Sequence, residues 1–473
     1  MVFSSEVFLF LFLPVVYLLY LAIPNLKARN ILLIVVSLVF YAYGEPAAVL
    51  LMILSVICNY FFGRAMANER CKKPVLIVSV VFNVSMLFVF KYLTYTLSLV
   101  KTVFHAGFSV PDIALPIGIS FFTFQAMSYV IDAYKKPALI RRNILDIFLY
   151  ISFFPQLIAG PIIRFEDISR QIDCRSVTAQ NTVDGIQRFI CGLAKKVLIA
   201  NTAGFAADTV FGLDLTQLSI GAAWIGAVCY TVQIYFDFSG YSDMAIGLGK
   251  MFGFTFKENF NYPLAAGCMT DFWRKWNISV STWFKEYVYI PLGGNRKGKL
   301  RTALNRIIVF FFTGLWHGAN WTFVLWGLWH GLFLLIEEYV PFMRKLPRAV
   351  GHIYTMLVVT LGFVLFRADT IGYGLEYIGR MFTGFDMNAS SLSTALTQLT
   401  PWFIVMLIAA IIGCAPIRPL ADKIRSVLYG EGELTAAWKA VQIALYVLAA
   451  AGLVWCILRL SAGAYNPFIY FRF

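Results

Sequence analysis

The chain has 473 residues, of which 60% are hydrophobic and 14% charged, against roughly 25% charged in average soluble proteins. A water-soluble fold has too little interior for that much apolar surface, whereas low charge is what a lipid solvent demands. The net charge of +14, from 39 Lys+Arg and 25 Asp+Glu, would suit nucleic acid in a soluble protein. Here the basic residues cluster between apolar runs, which excludes nucleic acid as a partner and leaves membrane lipid.

Glu6 precedes the first apolar run, and Lys27 and Arg29 follow it. With no basic leader and no small-residue cleavage site, the run reads as a span rather than a removed signal, with the N-terminus outside. Apolar runs recur near 7–24, 30–45, 47–63, 74–95, 115–131, 144–163, 185–208, 217–236, 302–317, 321–340, 350–367, 400–415 and 437–460. Several are short or broken, so about 11 transmembrane helices are expected. Lys72-Lys73, Lys135-Lys136, Arg141-Arg142, Lys195-Lys196 and the basic residues of 296–301 and 344–348 mark cytoplasmic loops. The fold class is therefore an all-α polytopic membrane protein, with 1–473 as a single membrane-embedded domain. The eight Cys form no CxxC pair; Cys58, Cys191, Cys229, Cys414 and Cys456 read as small buried hydrophobes, and no metal site is expected. The Ser/Thr/Asn-rich stretch 369–399 reads as an outer loop, and the last run puts the aromatic tail 464–473 outside.

Segment 237–301 mixes short apolar pieces with Asp237, Asp243, Asn259, Asn277 and other polar residues. Irregular backbone at membrane depth survives only where protein or a watery cavity covers it, so this stretch is expected to be re-entrant or interfacial. Asn277 opens a run with Ser and Trp at helical spacing. It reads either as a helix N-cap or as a polar site residue.

Residues 302–340 form a hairpin with basic loops on both flanks and its tip outward. His317 then lies near the outer end and His330 near mid-depth. A histidine inside a span is a functional-site hypothesis by default; the plainer reading is a neutral imidazole bonded to a neighbouring helix. For His317 the plainer reading is an interfacial cap or anchor. The Trp283, Trp316, Trp321, Trp326 and Trp329 set reads as packing or as a funnel lining.

Phe272-Trp-Arg-Lys-Trp-Asn277-Ile-Ser279, Tyr289-Ile-Pro-Leu-Gly-Gly-Asn-Arg296, and Trp316-His-Gly-Ala-Asn320 through Trp326-Gly-Leu-Trp-His330-Gly331 carry a resemblance. So do Phe154-Pro-Gln-Leu-Ile-Ala-Gly-Pro161 and Tyr235-Phe-Asp237-Phe-Ser-Gly240-Tyr-Ser-Asp243. Together they resemble the membrane-bound O-acyltransferase superfamily, in its bacterial alginate O-acetyltransferase branch. The resemblance implies a ring of helices around a central funnel or tunnel in the bacterial cell membrane. It makes His330 the catalytic residue, with Asn277 at a position often held by His in this branch and therefore suited to hydrogen bonding. His317 joins them as a further site residue.

It also implies acetyl-CoA as donor substrate, no bound cofactor, an extracytoplasmic esterase-like partner and a polysaccharide acceptor. Arg274, Lys275, Arg296 and Lys297 are donor-binding candidates that positive-inside topology explains equally well. The tail Phe468-Ile-Tyr470-Phe-Arg-Phe473 reads as an interfacial anchor or, by resemblance to acyl-passing machineries, as a carrier in which Tyr470 takes the acyl group. D-alanyl transfer to teichoic acid is the nearest rival activity. A lipid or polysaccharide flippase is the rival from another class, although the paired broken helices of transporters are not visible.

Overall fold

The computed structural model describes residues 1–385, 389–416, 436–463, 465–467 and 469. Its regular elements are helices, with no strand among the described residues. Among the described residues five helices are long and apolar enough to cross a membrane: Ala48–Ala65, Lys72–Phe104 (α1), Ala179–Phe211 (α2), Arg348–Arg367 and Trp438–Ser461. A sixth results if Ala389–Thr397 and Pro401–Cys414, bent by 75° at their junction, form one span. That is fewer than the runs suggest, because apolar runs such as Leu26–Ala42 fold as helices of 17 residues or fewer and others carry internal charge.

Helix α3, Ile220–Met251, spans 32 residues and passes straight through Asp237 and Asp243. The irregular stretch therefore begins after Met251 and not at 237. The two aspartates stay helical because α2 pairs with them: Asp243 binds Arg188 at 2.6 Å and Lys195 at 2.7 Å, and Asp237 binds Lys196 at 2.7 Å. Residues 195–200 of α2 wind as a π-turn, which lets two successive lysines each meet a carboxylate of α3. Glycines bring the two backbones together. A β-carbon on Gly185 would lie 2.7 Å from the Gly247 carbonyl oxygen, and one on Gly240 2.7 Å from that of Gly192, the close small-residue packing that membrane helices favour.

Beyond α3 the chain breaks into two short helices, Met269–Lys275 (α4) and Ile278–Phe284 (α5), then forms a hairpin of Lys299–His317 (α6) and Trp321–Tyr339 (α7). Arg348–Arg367 (α8) packs beside α7. The stretch expected as an outer loop is largely helical instead, as Ile371–Thr383 and Ala389–Thr397. Tyr377 and Met381, four apart, turn one apolar stripe inward between the polar residues. Among the cysteines Cys229 and Cys456 are buried and Cys58 and Cys414 partly so, but Cys191 faces outward.

Candidate active site

The hairpin is held at its tip by both neighbours. Helix α6 ends inside the protein, where its last carbonyls need partners. Tyr92 donates to Leu315 O at 2.8 Å, and Lys91 Nζ donates to Trp316 O at 2.6 Å and His317 O at 3.3 Å. These donors come from a second π-turn, Phe88–Tyr92. Asn320 starts α7 by accepting from Thr322 N at 3.1 Å. Gly327 lies so close to the Phe310 carbonyl that a side chain there would collide. This crossing fixes α7 and turns His330, its tenth residue, inward.

His330 is fully buried. Its ring lies parallel to Phe272 at 6.2 Å and edge-on to Trp273 at 5.2 Å and Trp326 at 5.0 Å. Neither ring nitrogen has a hydrogen-bond partner among the described residues. The imidazole is thus not a structural bridge to a neighbouring helix. His317 packs on the same Trp326 indole, at 5.0 Å, and is also buried and packed on Phe366 at 5.0 Å. Both histidines thus contact one indole. Of the other tryptophans in the set, Trp283 and Trp316 stack on Phe124, Trp329 donates to Val358 O at 3.0 Å and Trp321 is exposed; only Trp326 touches His330.

Asn277 holds the corner between α4 and α5 at φ 43°, a left-handed conformation that asparagine tolerates better than most residues. Although it stands at the N-cap position, its side chain makes no capping bond to α5. It is buried, and its Oδ1 has no partner among the described residues. The corner is held by Asn259, which the sequence reading placed only among polar residues. Asn259 O accepts from Ile278 N at 2.9 Å, its Oδ1 accepts from Ser279 N at 3.0 Å, and its Nδ2 donates to Ser242 of α3 at 3.1 Å. No hydrogen bond joins Asn277 to His330. The connection runs through rings, Trp276 on Phe272 at 5.4 Å and Phe272 on His330.

A second residue outside the sequence candidates is Glu337 of α7. Its buried carboxylate accepts from Met269 N, from Thr270 N at 2.9 Å and from Thr270 Oγ1 at 2.9 Å. It caps α4, the helix that carries Phe272 and Trp273 to the histidine. A carboxylate within an apolar run was the available signal.

Two spaces flank His330 along α7, one bordering Leu334 and the other Trp326, each four residues away. A cavity of about 240 Å³ toward Leu334 is lined by Thr270, Trp273, Arg274, Ser281 and Thr313. A tight crevice toward Trp326 is lined by His317, Trp276, Phe363, Phe366 and Ile469. Trp273 and Trp326, which wall these spaces, are the two indoles edge-on to the His330 ring. Of the four basic candidates, Arg274 alone reaches a cavity wall next to the histidine's box. Lys275 is bonded to Asp271 at 2.8 Å, and Arg296 and Lys297 are exposed on the turn before α6. Tyr470 lies outside the described residues. No cluster of three metal-ligating side chains occurs among the described residues.

A multi-helix body with five apolar helices of membrane-crossing length among the described residues, enclosing a buried histidine whose ring nitrogens have no partner among them, has the character of a membrane protein with a polar interior site. Residues 84–368 match the MBOAT, membrane-bound O-acyltransferase, family. The chain is 39% identical to a probable alginate O-acetylase, AlgI, of Pseudomonas putida, covering all of both chains. It is 36% identical to a peptidoglycan O-acetyltransferase of Helicobacter pylori over 80% of each chain. It is 27% identical to a teichoic acid D-alanyltransferase of Bacillus subtilis over 53% of this chain and 67% of that one. The chain belongs to the membrane-bound O-acyltransferase family, and it is a multi-pass membrane acyltransferase.

Proposed function

We propose that this protein moves an acetyl group from cytoplasmic acetyl-CoA through the membrane for O-acetylation of an extracytoplasmic polysaccharide, with His330 as general base. The observation that carries the reading is the His330 imidazole, buried in an aromatic box with neither nitrogen hydrogen-bonded to a described residue. A base must keep a lone pair for its substrate, and imidazole titrates near neutrality in its ordinary state. The thioester enters by the Arg274 side, where the guanidinium meets phosphates of the donor. His330 takes the proton of an attacking hydroxyl, the oxygen bonds to the acetyl carbon, and the carbon–sulfur bond breaks. CoA leaves as thiolate and is reprotonated. Asn277 faces the developing oxyanion, with His317 on the acceptor side of Trp326.

The hydroxyl we favour is that of Tyr470. Ile469, its neighbour in sequence, lines the crevice with His317 and Trp326, and a phenyl ester is a reactive donor for onward transfer by an esterase-like partner. The finer architecture belonging to this reading is about 11 spans ringing a funnel, with both termini outside. The likeness to an alginate O-acetylase and a peptidoglycan O-acetyltransferase supports acetyl as the group carried. The test is mass spectrometry of the C-terminal peptide after incubating purified protein with acetyl-CoA, beside His330→Ala. An acetyl adduct on Tyr470 in wild type alone is expected. CoA release without an adduct removes the tyrosine from the route, and equal CoA release by the variant removes His330.

A further inference from the structure

We infer that the buried Lys196–Asp237 ion pair is a dock for the C-terminal segment, positioning residues 465–467 and 469 against the helices that carry the histidines. The purpose of the dock rests on the carrier role proposed above; its existence does not. The pair joins α2 to α3 at 2.7 Å with both side chains nearly inaccessible. Each member of the pair also bonds the tail. Lys196 Nζ donates to Pro467 O and to Asn201 Oδ1 at 3.0 Å, while Asp237 Oδ2 accepts from Ile469 N at 3.1 Å.

Further contacts line the same route. Asn201 Nδ2 donates to Asn466 Oδ1 at 3.1 Å, and Asn466 Nδ2 to Ser4 Oγ at 3.4 Å. Tyr465 Oη donates to Asp208, whose other oxygen accepts from Arg367. Arg367 in turn lies over the rings of Phe211 at 4.5 Å and Tyr230 at 5.0 Å. Ile469 ends the described tail, buried beside His317 and Trp326.

The neighbouring lysine shows what the pair would be without this task. Lys195 bonds Asp243 at 2.7 Å, and Asp243 also bonds Arg188, a tie between helices that involves no tail atom. Lys196 and Asp237 each bind a backbone group of the tail, so they act as positioning residues for whatever follows Ile469. A pair serving only to hold α2 to α3 would be replaceable by apolar side chains of similar volume, an exchange that is often neutral for stability.

That exchange is the test. The full-length Lys196→Met/Asp237→Leu protein keeps its packing and buries no orphan charge, but it has no groups for the tail. In detergent, chymotryptic cleavage after Tyr465, followed by mass spectrometry, is expected to speed up at least roughly tenfold over wild type, the effect of losing one charge-assisted hydrogen bond. Cleavage elsewhere stays unchanged and acetyl delivery falls. Unchanged protection of Tyr465 overturns the dock. Faster cleavage with normal acetyl delivery keeps the dock and overturns the carrier role instead. If the double variant does not fold, Ile469→Pro deletes the amide hydrogen that Asp237 accepts and substitutes no residue of α2 or α3. It too should speed cleavage after Tyr465, and unchanged cleavage overturns the inference.

Discussion

Gly362 of α8 and His330 of α7 approach so closely that a β-carbon on the glycine would lie 2.9 Å from Nε2 of the imidazole and 3.3 Å from the Trp329 ring. One methyl group there must push the ring. Gly362→Ala is expected to lower turnover roughly a hundredfold, the loss that follows displacement of a reacting group by about 1 Å, while expression and thermal melting change little. Turnover and a melting curve on the same preparation check it.

Removing the two histidines should not be equivalent. His330→Ala is expected to cost roughly 100- to 10,000-fold in CoA release, the range for a general base. His317, packed on the same Trp326 indole, should cost less. A single-turnover measurement on each variant ranks them, and an equal or reversed order would move the base to His317.

At Asn277, conformation and chemistry can be separated. Gly adopts the positive φ of 43° at no steric cost but lacks the amide, whereas Ala lacks both. Both variants should lose turnover, by roughly 100- to 1,000-fold if the amide faces an oxyanion, and only Asn277→Ala should also lower the melting temperature. Normal turnover in Asn277→Gly would reduce the residue to a corner piece.

Glu337 carries no proposed chemistry, yet three groups at the start of α4 depend on it. Glu337→Leu strands one buried and one part-buried amide and should destabilise the protein by about 2 kcal/mol, read as a lower melting temperature, with turnover reduced because Trp273 loses its support. Glu337→Gln keeps one acceptor and should fall between.

The histidine hairpin was legible in the sequence because charge and length alone fix it: basic loops on both flanks, two apolar runs and a short polar tip. Asp237 and Asp243 misled for the opposite reason. A carboxylate in an apolar setting reads as a break unless its partner is known, and the partners, Lys196, Lys195 and Arg188, lie some fifty residues away in sequence. Asn277 looked like a cap because its position is that of a cap; only its φ and its unbonded amide distinguish the two roles. Asn259 and Glu337 act through backbone amides of other elements, and such pairings leave no pattern in the chain that makes them.

The glycine seam between α2 and α3 bears on how the protein responds to its solvent. Lys196 and Asp237 stand on two helices whose backbones touch at Gly185–Gly247 and Gly192–Gly240, leaving few side chains between them to repack. Bilayers differ in thickness, and helices adjust chiefly by tilting. Helices in such close contact tilt together rather than separately, which keeps the spacing of the ion pair, and of the tail segment it holds, the same in a thin membrane and in a thick one.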